Sequence, residues 1–247
     1  MKVLFAGESW TIAMSHIKGF NSFETFSYDE STSDNIRRIC DAAGIEFHFM
    51  PSHTAMRHFP GLDGLKEYDV VVLSDIGSDT FLLHPETFEK SLVRENRLLS
   101  LCRFVEEGGG LAMFGGWNSF TGMAGKARYG MTPLKNVLPV ELYPYDDRNE
   151  VPEGATLRVV KPEHPIFAGV DLTWPPLLGY NRLMPKAGAE VLAVNDSDVM
   201  IAVQEIGKGR SFAFASDISA HWAPPALTGS EAYARFIINV FRWLGNA

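Results

Sequence analysis

Residues 111–122 read LAMFGGWNSFTG: an apolar run, two glycines, then an aromatic-rich segment. The run suits a central strand buried on both faces, and the glycines supply the backbone freedom that a tight turn needs at its end. Turns of this kind often present the nucleophile of an α/β enzyme. Here the tip falls on Trp117, whose indole cannot attack a substrate. The rest of the chain must show whether chemistry survives without it.

Working outward, similar apolar runs occur at Val3–Ala6, closed by Gly7, at IEFHFM (45–50) and at DVVVLSD (69–75). Between them lie stripes at helical spacing. Ile36, Ile39, Cys40 and Ala43 precede Gly44 and follow capping candidates in STSD (31–34); Leu98, Leu101, Cys102 and Val105 precede Gly108–Gly110. A third stripe, Tyr233, Phe236, Ile237, Val240, Phe241 and Leu244, runs up to Gly245. Strands alternating with helices predict a parallel sheet with right-handed crossovers, in a three-layer α/β domain. Val3–Ala6, Val70–Ser74 and Leu111–Phe114 should be adjacent and parallel.

The segment ESWTIAMSHIKGFNSFETFSYDE (8–30) shows no clean period and is expected to be a long loop. LPVELYPYDDRNEVPEG (138–154), rich in proline and acids, reads as an excursion from the sheet. ATLRVVK, EVLAVN and VMIAVQEIGKGRSFAFASD then look like strands, the last two joined by a GKG turn, that extend the sheet antiparallel. No linker splits the chain, so residues 1–247 are read as a single domain.

Composition narrows the partners. The chain has 247 residues, 46% hydrophobic, and a formal charge of −8 from 22 Lys plus Arg against 30 Asp plus Glu. With no basic run, nucleic acid is not an expected partner. The apolar run at the N-terminus meets Gly7 and Glu8 too soon for a signal peptide or a membrane span, and two cysteines on helical stripes imply no disulfide framework. A cytoplasmic protein is expected, with no cofactor and no metal: His48, His53 and His58 span a strand, a proline and a loop, and match no zinc spacing.

Ligands of open parallel sheets collect at the carboxyl ends of the strands. The candidates there are Glu8, Ser9 and Trp10 after the first strand, Asp75 and Ser78 after the third, Gly115, Gly116, Trp117, Asn118 and Ser119 after the fourth, and Asp217, His221 and Trp222 near the end. Together they suit a pocket for a small polar metabolite.

The strings GESW (7–10), SDIGSDTFLL (74–83), GGWNSF (115–120), PEHP (162–165), LGYN (178–181) and SDISAHWAPP (216–225) give nearly the whole chain a resemblance to the class I glutamine amidotransferase-like proteins, a flavodoxin-like group related to ThuA-like proteins. Active members place a cysteine in a G-x-C-x-G elbow and pair it with a later histidine. The matching segment here is Gly115-Gly116-Trp117-Asn118-Ser119, so the nucleophile's place falls on Trp117. A thiolate is needed for the glutamyl thioester, and the resemblance therefore implies no glutaminase activity.

His221 falls where the family carries its catalytic histidine. Four residues after Asp217, it can form an acid/base pair with that carboxylate, with Glu8 across the pocket, or it can merely pack while Asp217 caps the loop. Glu8 is either catalytic or hydrogen-bonded to nearby backbone, and Trp222 is more wall than stacking platform. Ser119 and Ser9 lack the G-x-S-x-G frame of a substitute nucleophile. Two readings stay open: an acid/base enzyme of small-molecule metabolism, and a non-catalytic ligand-binding or scaffold protein that keeps the fold. Exposed-looking aromatics at Tyr143 and Tyr145 suggest a subunit contact and hence a homo-oligomer.

Overall fold

A computed structural model describes residues 1–246. The first strand, β1 (Lys2–Gly7), leads into β2 (Trp10–Lys18) and β3 (Asn21–Asp29); then come α1 (Asp34–Ala42), β4 (Glu46–Met50), α2 (Ser52–His58) and α3 (Leu62–Leu65). The middle of the chain holds β5 (Val70–Ser74), α4 (Asp79–Leu82), α5 (Pro85–Lys90), α6 (Arg97–Glu106) and β6 (Gly110–Phe114). Short strands follow: β7 (Val140–Leu142), β8 (Arg148–Ala155), β9 (Arg158–Val159), β10 (Leu177–Asn181) and β11 (Leu183–Pro185). The chain closes with β12 (Glu190–Asn195), β13 (Asp198–Ile206), β14 (Gly209–Phe214), α7 (Pro225–Thr228) and α8 (Glu231–Leu244).

One sheet carries eight strands in the order β4-β1-β5-β6-β14-β13-β12-β9. The five from β4 to β14 are parallel, in the flavodoxin-like order, and β13, β12 and β9 add antiparallel pairs. The expected neighbours β1, β5 and β6 are adjacent and parallel. Every residue of β5 and β6 is buried, which is why their sequences show no alternation. Helices α1 and α8 pack together in one layer, and α2, α3, α4 and α6 in the other. Asn96 caps α6 by accepting from Leu98 and Leu99 N–H, and Ser230 caps α8 by accepting from Tyr233 N–H. Cys40 and Cys102 lie in the core, as their stripes predict.

Several expectations need correction. Residues 8–30 are not a loop: β2 and β3 pair along their whole length as a hairpin. Trp10, Ile12 and Met14 alternate, but Ile17 breaks the period and β3 puts Phe23 on one face and Phe26 and Tyr28 on the other, so no single apolar face marks a half-buried strand. The GKG hairpin does join β13 to β14, but β14 itself runs parallel to β6, and the antiparallel extension begins only with β13. Of ATLRVVK, Arg158–Val159 alone joins the large sheet, while Ala155 ends β8. The excursion at 138–154 builds two small ladders, β7 with β11 and β8 with β10.

Candidate functional site

Register brings four strand ends level. Gly7, Ser74, Phe114 and Phe214 are successive partners across β1, β5, β6 and β14. The residues that follow, Glu8, Asp75, Gly115 and Ala215, therefore share one edge. From β1 the chain goes outward to β4 and returns on the other side of β1 as β5, which makes the β1/β5 boundary a topological switch point. Glu8 and Asp75 flank that boundary. Gly7, at φ 112°, lets the two strands close: a Cβ there would lie 1.8 Å from the Ser74 carbonyl oxygen.

Both flanking carboxylates sit at φ 45°, a left-handed conformation that costs a non-glycine residue ~1 kcal/mol or more. Hydrogen bonds hold them there. Glu8 N–H donates to the Ser74 carbonyl at 3.0 Å, and Asp75 N–H donates to Ser119 Oγ at 3.0 Å. The Glu8 side chain is buried, with Oε1 accepting from Ser74 Oγ at 2.6 Å and Oε2 from Ser219 Oγ at 2.7 Å. Burial, helped by the like charges of Asp217 and Asp75, pushes its carboxyl up to about 8. Burial likewise pushes Asp75 up to about 6, although Asn118 N–H, 2.6 Å from Oδ1, favours the charged form.

Asp217 is buried and holds the turn after β14. Its Oδ2 accepts from Trp222 N–H at 2.8 Å and lies 2.7 Å from His221 Nδ1. The bond to Asp217 raises the His221 imidazole above its usual value, against the opposing effect of burial. With Nδ1 tied to the carboxylate, Nε2 is the nitrogen available to a ligand. The half-exposed ring meets Trp117 edge-on at 5.5 Å and stacks on Trp222 at 5.6 Å. Gly116, at φ 135°, lies between the carboxylates: a Cβ there would meet Asp75 Oδ1 at 2.8 Å and Asp217 Oδ1 at 3.0 Å.

The structure thus brings Glu8, Asp75, Gly116, Asp217 and His221 together at one sheet edge, with Trp117 beside them. Asn118 enters through its backbone N–H. Gly115 anchors the turn by donating to the Phe214 and Ser216 carbonyls at 2.9 Å each. Other candidates have local tasks. Ser9 Oγ accepts from Ser52 N–H at the start of α2, Ser119 Oγ is taken by Asp75 N–H, and Trp10 stands exposed on β2. Trp222 is 1% exposed and its Nε1 donates to Glu150 Oε2 at 2.8 Å, so it forms the wall behind His221.

Sequence reasoning missed the residues that brace this edge. Ser74 and Ser219 were hidden in plain view beside Asp75 and His221, because hydroxyls carry no signal until a partner faces them. Glu150 also accepts from Trp117 Nε1 at 3.2 Å and so bridges the two indoles from a ladder that the sequence left outside the sheet. Asn181, within LGYN, accepts from Gly116 N–H at 3.0 Å and donates to the buried Asp147 at 2.8 Å. Asp147 in turn accepts from Thr121 and Gly122 N–H at 2.9 Å each, fixing the far end of the turn. Among the described residues, no group of three or more His, Cys, Asp or Glu is arranged to hold a metal ion, and no helix is long and apolar enough to cross a membrane.

Two cytoplasmic proteins of Salmonella typhimurium share this structure. One is 39% identical with a TM-score of 0.93, the other 42% identical with a TM-score of 0.91, and each comparison covers 99% of both chains. A "putative ThuA-like protein" of Bacteroides uniformis has the same fold at 14% identity, with a TM-score of 0.57 over 98% of this chain and 90% of the other. No curated protein matches the chain. The family model described as "putative glutamine amidotransferase" matches residues 2–246, and the chain belongs to this glutamine amidotransferase-like family.

Proposed function

We propose that the protein binds a small polar metabolite at the β1/β5 switch point and carries out acid/base chemistry there through His221 and Asp217, without glutaminase activity. The observation that carries this reading is the 2.7 Å contact between Asp217 Oδ2 and His221 Nδ1 at an edge shared with Glu8 and Asp75. Asp217 orients the imidazole, so that Nε2 can take a proton from a water or a substrate hydroxyl. Glu8, pushed up to about 8, keeps its proton at neutral pH and can donate it or hydrogen-bond as a neutral acid. Carboxyl groups dominate the edge, which favours a neutral or cationic hydroxylated ligand over an anionic one. A cytoplasmic setting fits the two Salmonella relatives.

The glutamyl thioester route lacks its thiolate. Trp117 stands at the turn, and burial pushes the Cys40 and Cys102 thiols up to about 12 and about 11. Incubation with a glutamine-analogue diazoketone should leave the intact mass unchanged; a stoichiometric adduct on either cysteine would restore the glutaminase reading.

One observation favours the non-catalytic alternative: both Glu8 oxygens are already bonded to Ser74 and Ser219. NMR titration of the His221 imidazole separates the two. A pKa above the free-histidine value that moves with added polyols or amines, but not with inorganic phosphate, supports the acid/base site. An ordinary pKa that no compound moves removes it.

A further inference from the structure

The β2–β3 hairpin leaves the sheet at Glu8 and returns at Thr32, whose hydroxyl donates to the Glu8 carbonyl. Between these points it meets the body near its base, where Tyr28 stacks on His53 at 4.0 Å and Ser9 Oγ accepts from Ser52 N–H at the start of α2. Register puts Trp10, Ile12, Met14 and Phe23 on one face and Ile17, Phe26 and Tyr28 on the other, with Phe20 at the tip. All eight are exposed, Phe23 by 63%, Phe26 by 70% and Ile17 by 75%. At these exposures they leave ~1,000 Å² of apolar side chain on one arm. Divided between two faces and a tip, this gives each face an apolar patch in the roughly 300–600 Å² range of the largest on a typical monomer, often a functional one. A lone two-stranded ribbon is moreover marginal in water.

The same chain carries an apolar cleft. A cavity of about 330 Å³ is lined by Met56 of α2, Leu83, Pro85 and Phe88, together with Asp79, Thr80 and Glu89. Leu83 and Phe88 are exposed, as are Leu92 and Val93 just beyond. Strands of nine residues reach ~30 Å from their base, and Phe20 at the tip is fully exposed, so the tip does not fill the cleft of its own chain.

We propose that the hairpin is a dimerisation arm: it seats its tip in the α2–α5 cleft of a second copy of this chain and receives that copy's arm in return. Arm and cleft on one chain make the surface self-complementary, so a two-fold exchange covers both features and closes. Two arms alone bring roughly 2,000 Å² to the contact, more than the ~1,600 Å² of a standard interface. The apolar residues lie on both faces of the ribbon, and an enclosing partner covers both. A lipid surface would cover one face, and the net charge of −8 opposes approach to an anionic leaflet. This places the subunit contact on the hairpin instead of Tyr143 and Tyr145, and it does not depend on the proposed chemistry.

Light scattering on the full chain at micromolar concentration tests the assignment. The wild type should show twice the 27.4 kDa chain mass. Both the triple variant F20S/F23S/F26S and the cleft variant F88D should fall to half that, with unchanged circular dichroism. Oxidation of F20C/F88C should give a covalent dimer that neither single cysteine variant forms, a readout that survives even if the triple variant misfolds. A wild type at monomer mass, a dimer that persists in either serine or aspartate variant, or failure of the double-cysteine variant to cross-link overturns the proposal. So does a monomer that pellets with phosphatidylcholine–phosphatidylserine vesicles, which would assign the arm to a membrane.

Discussion

The carboxyl edge of the sheet and the β2–β3 arm begin within three residues of one another, yet they break opposite rules. At the edge, the carboxyl groups of Glu8, Asp75 and Asp217 are taken out of water and are held by hydroxyls, backbone N–H groups and one imidazole. On the arm, eight large apolar side chains stay exposed, outside the core. Burying carboxylates costs stability, and exposing apolar side chains forgoes it. A chain that does both from a single root is built for something outside itself, a polar ligand at the edge and an apolar surface for the arm.

The root of both regions is the most sensitive point. Gly7→Ala would put a Cβ against the Ser74 carbonyl and force an unfavourable φ, and a loss on the order of 4 kcal/mol is expected from denaturant unfolding. A tolerated alanine would show that β1 and β5 are not as close as the comparison requires.

Glu8→Gln sharpens the edge. Glu8 holds its proton to about pH 8 in the fold against 4.5 in the unfolded chain. The folded state thus binds the extra proton between these values, and stability falls as pH rises through that window. Glutamine removes the fall, so the variant should be ~3 kcal/mol more stable than the wild type at pH 7 and similar to it below pH 4.5. Unfolding curves across this range decide it; parallel pH profiles would mean that Glu8 is charged.

Asp217→Asn asks how the imidazole is held. It should cost ~2 kcal/mol through the weakened Trp222 and His221 contacts and lower the His221 pKa, read by NMR. The raised imidazole stabilises the wild type below the ordinary histidine pKa, and this contribution fades as pH rises through the folded value. The variant should lack that fade. The smallest effect belongs to the arm: introduced into the monomeric cleft variant F88D, Phe20→Ser should change stability by less than ~0.5 kcal/mol in a thermal melt, since nothing in its own chain packs on Phe20. A larger loss would mean that the arm folds back on its own body.

Local pattern carried the fold a long way. Buried runs at Val3–Ala6, Val70–Ser74 and Leu111–Phe114, with helical stripes between them, specify parallel strands because period and burial are properties of consecutive residues. The same logic places Glu8, Asp75, Trp117 and His221 after strands at one sheet edge. It failed for β2 and β3, whose apolar residues occupy both faces, and for β14, whose direction follows from where the small ladders return the chain.

What the amino-acid sequence determined by itself was therefore the alternation of elements, the Trp at the turn and the identity of the groups at the carboxyl edge. Only the tertiary structure decided that Ser74 and Ser219 clasp Glu8, that Asn181 and Asp147 brace the turn, that Glu150 ties together two tryptophans, and that the arm stands free. Each of these joins residues distant in the chain or depends on what fails to pack. Such relations arise when the sheet closes, and a hydroxyl or an exposed phenylalanine carries no local mark of which neighbour the fold will bring to it or withhold.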